Sequence, residues 1–253
     1  MITLTMAAAL GASILSTAFI SGIFGMAGGM ILMGILLAMM PVAAAMVLHG
    51  VTQMASNGWR AWLWRSEIVW TAVAWYAAGS VIAALAFFAV QFAPSKPVTL
   101  IALGLLSFAG LLMPDRLAPS ILRRGDAVAC GTLCTSLQFV AGVSGPIFDV
   151  FFVRSEMGRK QIVATKATIQ TLGHFLKVAY FGQLLTAGAS EVAPLAVALA
   201  IILAVCGTQL SRTVLDAISD AQFRRWTRSL IAVIASFYLV HGAVLLVTDA
   251  GLT

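Results

Sequence analysis

The chain has 253 residues, of which 61% are hydrophobic and only 9% are charged, and its net charge is +6. Soluble domains carry roughly 25% charged residues, so this composition excludes an ordinary soluble domain and a disordered chain. The basic residues punctuate apolar runs instead of forming one soluble basic face, which excludes a nucleic-acid-binding domain. The composition therefore indicates a polytopic membrane protein.

Eight apolar segments follow one another along the chain. We interpret all of them as helices, because lone apolar runs of about 20 residues suit transmembrane helices and not β-barrel strands. Glycines interrupt the first segment at 25–29, and a glycine-proline cluster interrupts the fifth at 142–146. The segments cover residues 4–40, 42–64, 68–90, 98–113, 127–153, 162–185, 192–210 and 230–247.

The distribution of basic residues orients these segments. Four loops are basic, and they contain Arg60 and Arg65; Arg116, Arg123 and Arg124; Arg154, Arg159 and Lys160; and Arg212, Arg224, Arg225 and Arg228. The loops between them hold only Lys96, or Glu191 without a base. The positive-inside rule places the basic loops in the cytoplasm. The fifth segment then begins and ends on the cytoplasmic side, so it is either a re-entrant pair of half-helices or two short spans.

An internal repeat relates the two halves of the chain. A shift of 117 residues lays 25–29 on 142–146, and it lays a polar stripe of the second segment on one of the sixth. The stripes are His49, Gln53, Asn57 and Arg60, and Lys166, Gln170, His174 and Lys177. Their spacing puts each set on one helix face. Because the two segments run in opposite directions, we predict two inverted repeats, 1–120 and 121–253, of about four segments each.

The interrupted helices predict a binding site. Glycines in membrane helices often allow close packing, but a broken helix also directs free N–H groups and its positive dipole end at a ligand. Proline is well tolerated in the first turn of a new helix, which favours the second interpretation for the break before Pro146. Gly28, Gly29, Gly145 and Pro146 are therefore candidate residues for binding one small oxyanion.

The two stripes add polar candidates. A glutamine in a membrane helix must form hydrogen bonds, and the equivalence of Gln53 and Gln170 under the repeat favours a ligand as the partner. His49, Asn57 and His174 complete the stripes, and Lys166 is the candidate for supplying positive charge. Snorkelling to the interface is the alternative for Lys166 and Lys177, and Arg60 is interpreted as snorkelling. Asp149 is a candidate proton site, as are His49 and His174, although a structural ion pair is the default for Asp149.

These motifs resemble those of the sulfite exporter TauE/SafE family of membrane permeases. The resemblance covers nearly the whole chain and depends on the glycine-rich break at 22–29, the sequence at 142–146, Ala164-Thr165, and the stretches 174–177 and 180–182. It implies secondary transport of small sulfur-containing anions, such as sulfite or organosulfonates, generally outward across a bacterial inner membrane. The residues themselves indicate a small anion, and only the resemblance indicates sulfur.

The resulting hypothesis is a non-enzymatic, alternating-access transporter that needs no cofactor and no metal. Its partners are the small sulfur anion and the lipid bilayer, with no nucleic acid, and a homodimer is left open. An anion channel is one alternative. An intramembrane serine protease is another, because Gly142-Val143-Ser144-Gly145 matches a nucleophile turn for which His174 or His241 could be the base. Cys130 and Cys134 are interpreted as small packing residues.

Overall fold

The computed structural model describes residues 4–24, 26–187, 192–217 and 220–250. Within these ranges the chain forms ten α-helices and no strand, which confirms the predicted all-α membrane fold. Eight segments become ten helices because the first and the fifth are broken. The helices are α1 (Leu4–Phe24), α2 (Met26–Met39), α3 (Val42–Leu63), α4 (Trp70–Val90), α5 (Lys96–Leu112), α6 (Arg124–Ala141), α7 (Gly145–Val153), α8 (Arg159–Ala187), α9 (Pro194–Ala217) and α10 (Asp220–Ala250).

Proline and glycine mark the helix ends. Pro41 precedes α3, and proline lies in the first turn of both α5 and α7, where its missing N–H leaves no helical bond unmade. Gly142 ends α6 with a φ of +79°, and its N–H donates to the carbonyl of Gln138 at 3.0 Å. Glycine adopts this left-handed conformation without steric cost, so it allows the chain to leave α6 and begin α7 within three residues.

The first broken segment folds back on itself. Gly28 of α2 lies against the backbone of Thr17 and Ser21 of α1, so closely that a Cβ atom would overlap the Thr17 carbonyl oxygen. In one continuous helix Gly28 and Thr17 would be about 16 Å apart along the axis. The chain therefore reverses direction between α1 and α2. The glycine at the reversal, Gly25, lies outside the described residues.

The second broken segment is a re-entrant hairpin of α6 and α7. The N–H of Ile121, just before α6, donates to the carbonyl of Phe151 near the end of α7 at 2.9 Å, so both ends of the hairpin are adjacent. The nine residues of α7 span about 14 Å, whereas the hydrocarbon core is about 30 Å thick. The structure thus favours the re-entrant option over two short spans.

Four helices in the described part of the chain are long and apolar enough to cross a membrane, which supports a multi-pass membrane protein. These spans are Thr5–Phe24, Trp70–Val90, Pro194–Ser211 and Arg225–Thr248. The helices α3 and α8 carry the polar stripes and form the most extensive helix pair in the described chain. Because they pack against each other inside the bundle, their polar side chains avoid lipid.

Three of the basic loops lie at one end of the molecule. Arg154 donates to the carbonyl of Arg116 at 3.2 Å, and the ammonium of Lys160 lies 5.1 Å from the centre of the Trp64 ring. These contacts join the loops that precede α4, α6 and α8, as the charge pattern predicts for a cytoplasmic face. The fourth predicted loop is mostly helical, because Arg212 lies in α9 and Arg224 lies in α10. The side chains of these two arginines, and the whole of Glu191, lie outside the described part of the chain.

Candidate functional site

The two helix breaks meet at a small cavity inside the bundle. Its volume is about 30 Å³, and a buried water needs about 10–15 Å³. Six of its lining residues are predicted candidates: Gly29, His49, Gln53, Gly145, Gln170 and His174. The sequence therefore predicts half of the wall, from both breaks and from both polar stripes. At 1.5 Å per residue, α7 separates this cavity from the basic end by about 14 Å.

The remaining lining residues come mainly from the second hairpin. They are Met26, Tyr76, Gln138, Val143, Ser144 and Phe148. Sequence reasoning missed Gln138 and Tyr76 as site residues. Gln138 carried a usable signal, because it is an amide in an apolar helix one turn before the break at Gly142. Tyr76 lies in an apolar helix with no polar stripe, so only the packing of α4 against α6 brings it to the cavity.

A chain of hydrogen bonds connects one break to the other. The carbonyl of Gly29 accepts from Nε2 of His49 at 2.9 Å, and Nδ1 of His49 contacts the Lys177 ammonium at 2.7 Å. Since a carbonyl only accepts, His49 carries its proton on Nε2 and accepts from Lys177 at Nδ1. Lys177 also donates to the carbonyl of Gly142 at 2.8 Å. His49 and Lys177 therefore join the start of α2 to the end of α6.

Lys177 is a fully buried lysine, and both of its hydrogen-bond partners are neutral. Its side chain is 0% exposed, and it bonds to the imidazole of His49 and the carbonyl of Gly142. No carboxylate in the described ranges forms an ion pair with it. An ammonium has three donors, so one N–H remains after these two bonds. Lys177 stands directly behind His49 and not on the cavity wall, so a positive charge on its protonated form would favour an anion in the cavity.

The second histidine is also held in place by an amide. Gln138 donates from Nε2 to Nδ1 of His174 at 2.6 Å, which leaves the His174 proton on Nε2. The rings of His49 and His174 meet edge to face, with their centres 5.5 Å apart. Both imidazoles therefore have fixed orientations at the cavity, and the amides of Gln53 and Gln170 face the same space.

The start of α7 directs a helix dipole at this cavity. Ser144 and Gly145 line the wall, and Pro146 follows in the first turn. The positive end of the helix therefore faces the cavity, as predicted for the break, and it favours negative charge there. Gly145 is packed against the side chain of Met26, so the starts of α7 and α2 approach each other closely.

The other predicted candidates lie away from the cavity wall. Gly28 packs on α1, the carbonyl of Pro146 contacts Gly110, and Asn57 is buried in α3 without lining the cavity. Lys166 forms an ion pair with Asp149 on α7. The default interpretation of Asp149 as an ion-pair partner is therefore confirmed, and the lysine next to the cavity is Lys177.

The geometry around Ser144 does not resemble a protease. The imidazoles at the cavity bond to Gly29 and Lys177 or to Gln138, and neither makes a hydrogen bond to the Ser144 hydroxyl in the described structure. His241 stacks on Phe237 in a different region, beside an apolar cavity of about 420 Å³ between α2, α5 and α10. That larger cavity is almost entirely apolar, so it does not suit a small anion.

A protein-family model described as sulfite exporter TauE/SafE matches residues 9–238 of the chain. The matched range contains the helices from α1 into α10 and every residue of the cavity wall. No curated protein matches the chain, and no solved structure matches it.

Proposed function

The chain belongs to the sulfite exporter TauE/SafE family, a family of membrane transporters for sulfur anions such as sulfite, and from this premise we propose that it exports such an anion by alternating access. The anion occupies the cavity between the two helix breaks. Gln53 and Gln170 orient it, and backbone N–H groups at Gly29 and Gly145 bind its oxygens. The proposed location is the bacterial inner membrane.

The observation that carries this proposal is that Lys177 is buried and has no carboxylate partner in the described chain. Burying an uncompensated ammonium costs several kcal/mol, and an anion bound in the cavity, with His49 between it and Lys177, would offset that cost. The dipole of α7 and the amides on the wall add to the preference for an oxyanion over a cation. A proton on His49, His174 or Asp149 is the proposed coupling ion.

The arrangement of the helices supports alternating access between inverted repeats. Each half supplies five helices in the same order, so α1 corresponds to α6, α3 to α8 and α4 to α9. Under this correspondence the pair of α1 with α9 is equivalent to the pair of α6 with α4, and both are among the most extensive contacts. Inverted repeats that meet at a midplane site allow one half to rock against the other.

Thermal stabilisation of the purified protein tests the site, since a ligand that binds the folded state raises Tm by mass action. The anions are sulfite, sulfate, thiosulfate, taurine, sulfoacetate, acetate and phosphate. We expect a selective Tm increase with one sulfur anion that is lost in Gln170→Ala. The control is Gln183→Ala, the same change at an exposed position of α8, which keeps the increase. No increase with any anion would overturn the anion site and leave the fold unchanged.

Counterflow in proteoliposomes separates a transporter from a channel. Proteoliposomes that contain a transporter and are loaded with unlabelled anion accumulate labelled anion transiently, because one site serves both sides in turn. Their uptake rate also saturates as the concentration of the anion rises. An open pore gives passive flux without transient accumulation. We expect counterflow, and its absence together with unsaturated flux would replace the transporter proposal with an anion channel.

A further inference from the structure

The ion pair of Lys166 and Asp149 lies between the cavity and the basic end of the molecule. It joins α8 to α7, and its side chains are 25% and 37% exposed, respectively. Most ionisable groups on membrane helices are buried in protein or face water, because hydrocarbon solvates charge poorly. We therefore expect the exposed part of this pair to face water and not lipid. In contrast with Lys177, the ammonium of Lys166 already has an anionic partner.

The pair lies one helical turn from the cavity on the cytoplasmic side. Lys166 precedes the cavity residue Gln170 by four residues on α8, and Asp149 directly follows the cavity residue Phe148 on α7. From Asp149 the helix α7 continues to Val153 and the basic end of the molecule. The ammonium of Lys166 also lies 5.7 Å from the centre of the Phe152 ring. The pair therefore lies between the cavity and the basic end of the molecule along α7 and α8.

The opposite side of the cavity is closed by aromatic packing without a charged pair. Phe139 and Tyr180 stack with ring centres 4.7 Å apart, and Phe181 packs edge to face against both. The Tyr180 hydroxyl donates to the carbonyl of Phe92 at 2.6 Å, which joins α8 to the loop after α4. Both aromatic rings of the stacked pair are buried. The two sides of the cavity therefore differ in chemistry, with a partly exposed ion pair on the cytoplasmic side and buried aromatic rings on the other.

We propose that Lys166 is the cytoplasmic access site for the transported anion, and that Asp149 is the resident carboxylate which the incoming anion displaces. The inference rests on the proposed function for the identity of the anion. A carboxylate and a sulfur oxyanion offer the same acceptor oxygens to an ammonium, so the incoming anion exchanges with Asp149 without leaving Lys166 uncompensated. The anion then moves one turn along α8 to Gln170 and the cavity.

Chemical labelling of the cavity tests this proposal without relying on the natural substrate. Cys130, Cys134 and Cys206 are replaced by alanine, and Ser144→Cys supplies a thiol on the cavity wall. Inside-out membrane vesicles expose the cytoplasmic face to two thiol reagents of similar size. One is anionic, sulfonatoethyl methanethiosulfonate, and the other is cationic, trimethylammonioethyl methanethiosulfonate. The readout is the ratio of the anionic to the cationic labelling rate.

The expected result is a change of charge preference with opposite signs. Asp149→Asn leaves Lys166 free for an anion, so the ratio rises about tenfold, and Lys166→Gln leaves the carboxylate alone, so the ratio falls about tenfold. The double variant with both substitutions is neutral and keeps the two side chains hydrogen-bonded, and its ratio lies between those of the single variants. It is also the variant expected to fold where a single one does not. From right-side-out vesicles the ratio is unchanged in all of them.

If the pair has only a structural role, its substitution changes the labelling rates of both reagents by the same factor, and their ratio stays constant. A constant ratio in all variants would overturn the proposed access site. Failure of the proposed function is a separate outcome. In that case the labelling ratio changes as described, while no sulfur anion raises Tm or gives counterflow in the otherwise unchanged protein. If counterflow occurs and the ratio stays constant, the transporter stands and Lys166 has no part in anion access.

Discussion

Two lysines of the same helix have opposite electrostatic surroundings. Lys166 and Lys177 are both on α8, yet Lys166 is partly exposed and paired with Asp149, whereas Lys177 is buried and bonded to neutral groups. The charge of Lys166 is compensated within the protein. The protonated form of Lys177 would be stabilised by a compensating anion from elsewhere, which is the condition for a binding site. A lysine in a membrane helix therefore indicates an anion site only when its partners are known and none of them is a carboxylate.

The largest effect on sulfite affinity is expected when the amine of Lys177 is removed. A unit charge one side chain away contributes about 2–3 kcal/mol at an effective dielectric of about 20, which corresponds to about 30–150-fold in affinity. We expect Lys177→Met to weaken sulfite binding by about this factor, measured by calorimetry or by the Tm increase. The protein should remain folded, because loss of a buried charge offsets the loss of its two hydrogen bonds.

The matched control for that variant is Lys160→Met, which makes the same change at an exposed position on the same helix. Its ammonium lies over the Trp64 ring at the basic end and far from the cavity wall. Sulfite affinity should stay within about twofold, since exposed charges are strongly screened. Equal losses in Lys160→Met and Lys177→Met would contradict a specific role for the buried lysine.

The amides on the wall give the next largest effect. A hydrogen bond to a charged group contributes about 1.5–3 kcal/mol, so Gln53→Ala and Gln170→Ala should each weaken sulfite binding by about 10–100-fold. The readout is again calorimetry on purified protein, with size-exclusion chromatography to show that it is folded. Unchanged affinity in both variants would rule out a site to which the two stripes contribute equally.

The compensated pair should matter far less to equilibrium binding. In the Asp149→Asn/Lys166→Gln double variant no net charge is lost, so sulfite affinity in detergent should change by about threefold or less. Transport from the cytoplasmic side should slow in the same protein. A loss of affinity as large as that of Lys177→Met would remove the distinction between the two lysines.

The smallest effect is expected at the serine of the second break. Ser144→Ala should keep transport and sulfite binding within about twofold, or about 0.4 kcal/mol, because the hydroxyl is not bonded to either cavity histidine and its removal leaves their hydrogen bonds unchanged. Counterflow in proteoliposomes checks the prediction. Abolished activity in this variant alone would revive the interpretation of Ser144 as a nucleophile.

Helix positions could be predicted well from the sequence where hydropathy and helix ends coincide. The segment 42–64 became Val42–Leu63, and 68–90 became Trp70–Val90. The last segment was predicted to begin at residue 230, but α10 begins at Asp220. Its first turns carry basic residues, which lower hydropathy without disturbing backbone hydrogen bonds. Hydropathy therefore locates the part of a helix that faces lipid, and not the whole helix.

The candidate site could be predicted only in part, because spacing assigns a face to each stripe but not the partner of each side chain. Gln53 and Gln170 were predicted from their equivalence and line the cavity. Lys166 was preferred to Lys177 because it is equivalent to His49 under the repeat. The repeat could not show that Asp149 pairs with Lys166, because the position of α7 beside α8 depends on how the second hairpin re-enters the bundle.

The sequence by itself determined that this protein is a bundle of membrane helices with two breaks, because apolar length, glycine, proline and basic loops act locally. It also determined which two helices are polar. Only the tertiary structure decided that the breaks face one cavity, that Gln138 and Tyr76 complete its wall, and that, of the two stripe lysines, Lys166 has a carboxylate partner and Lys177 has none among the described residues. These properties depend on contacts between residues far apart in the chain, which no local pattern specifies.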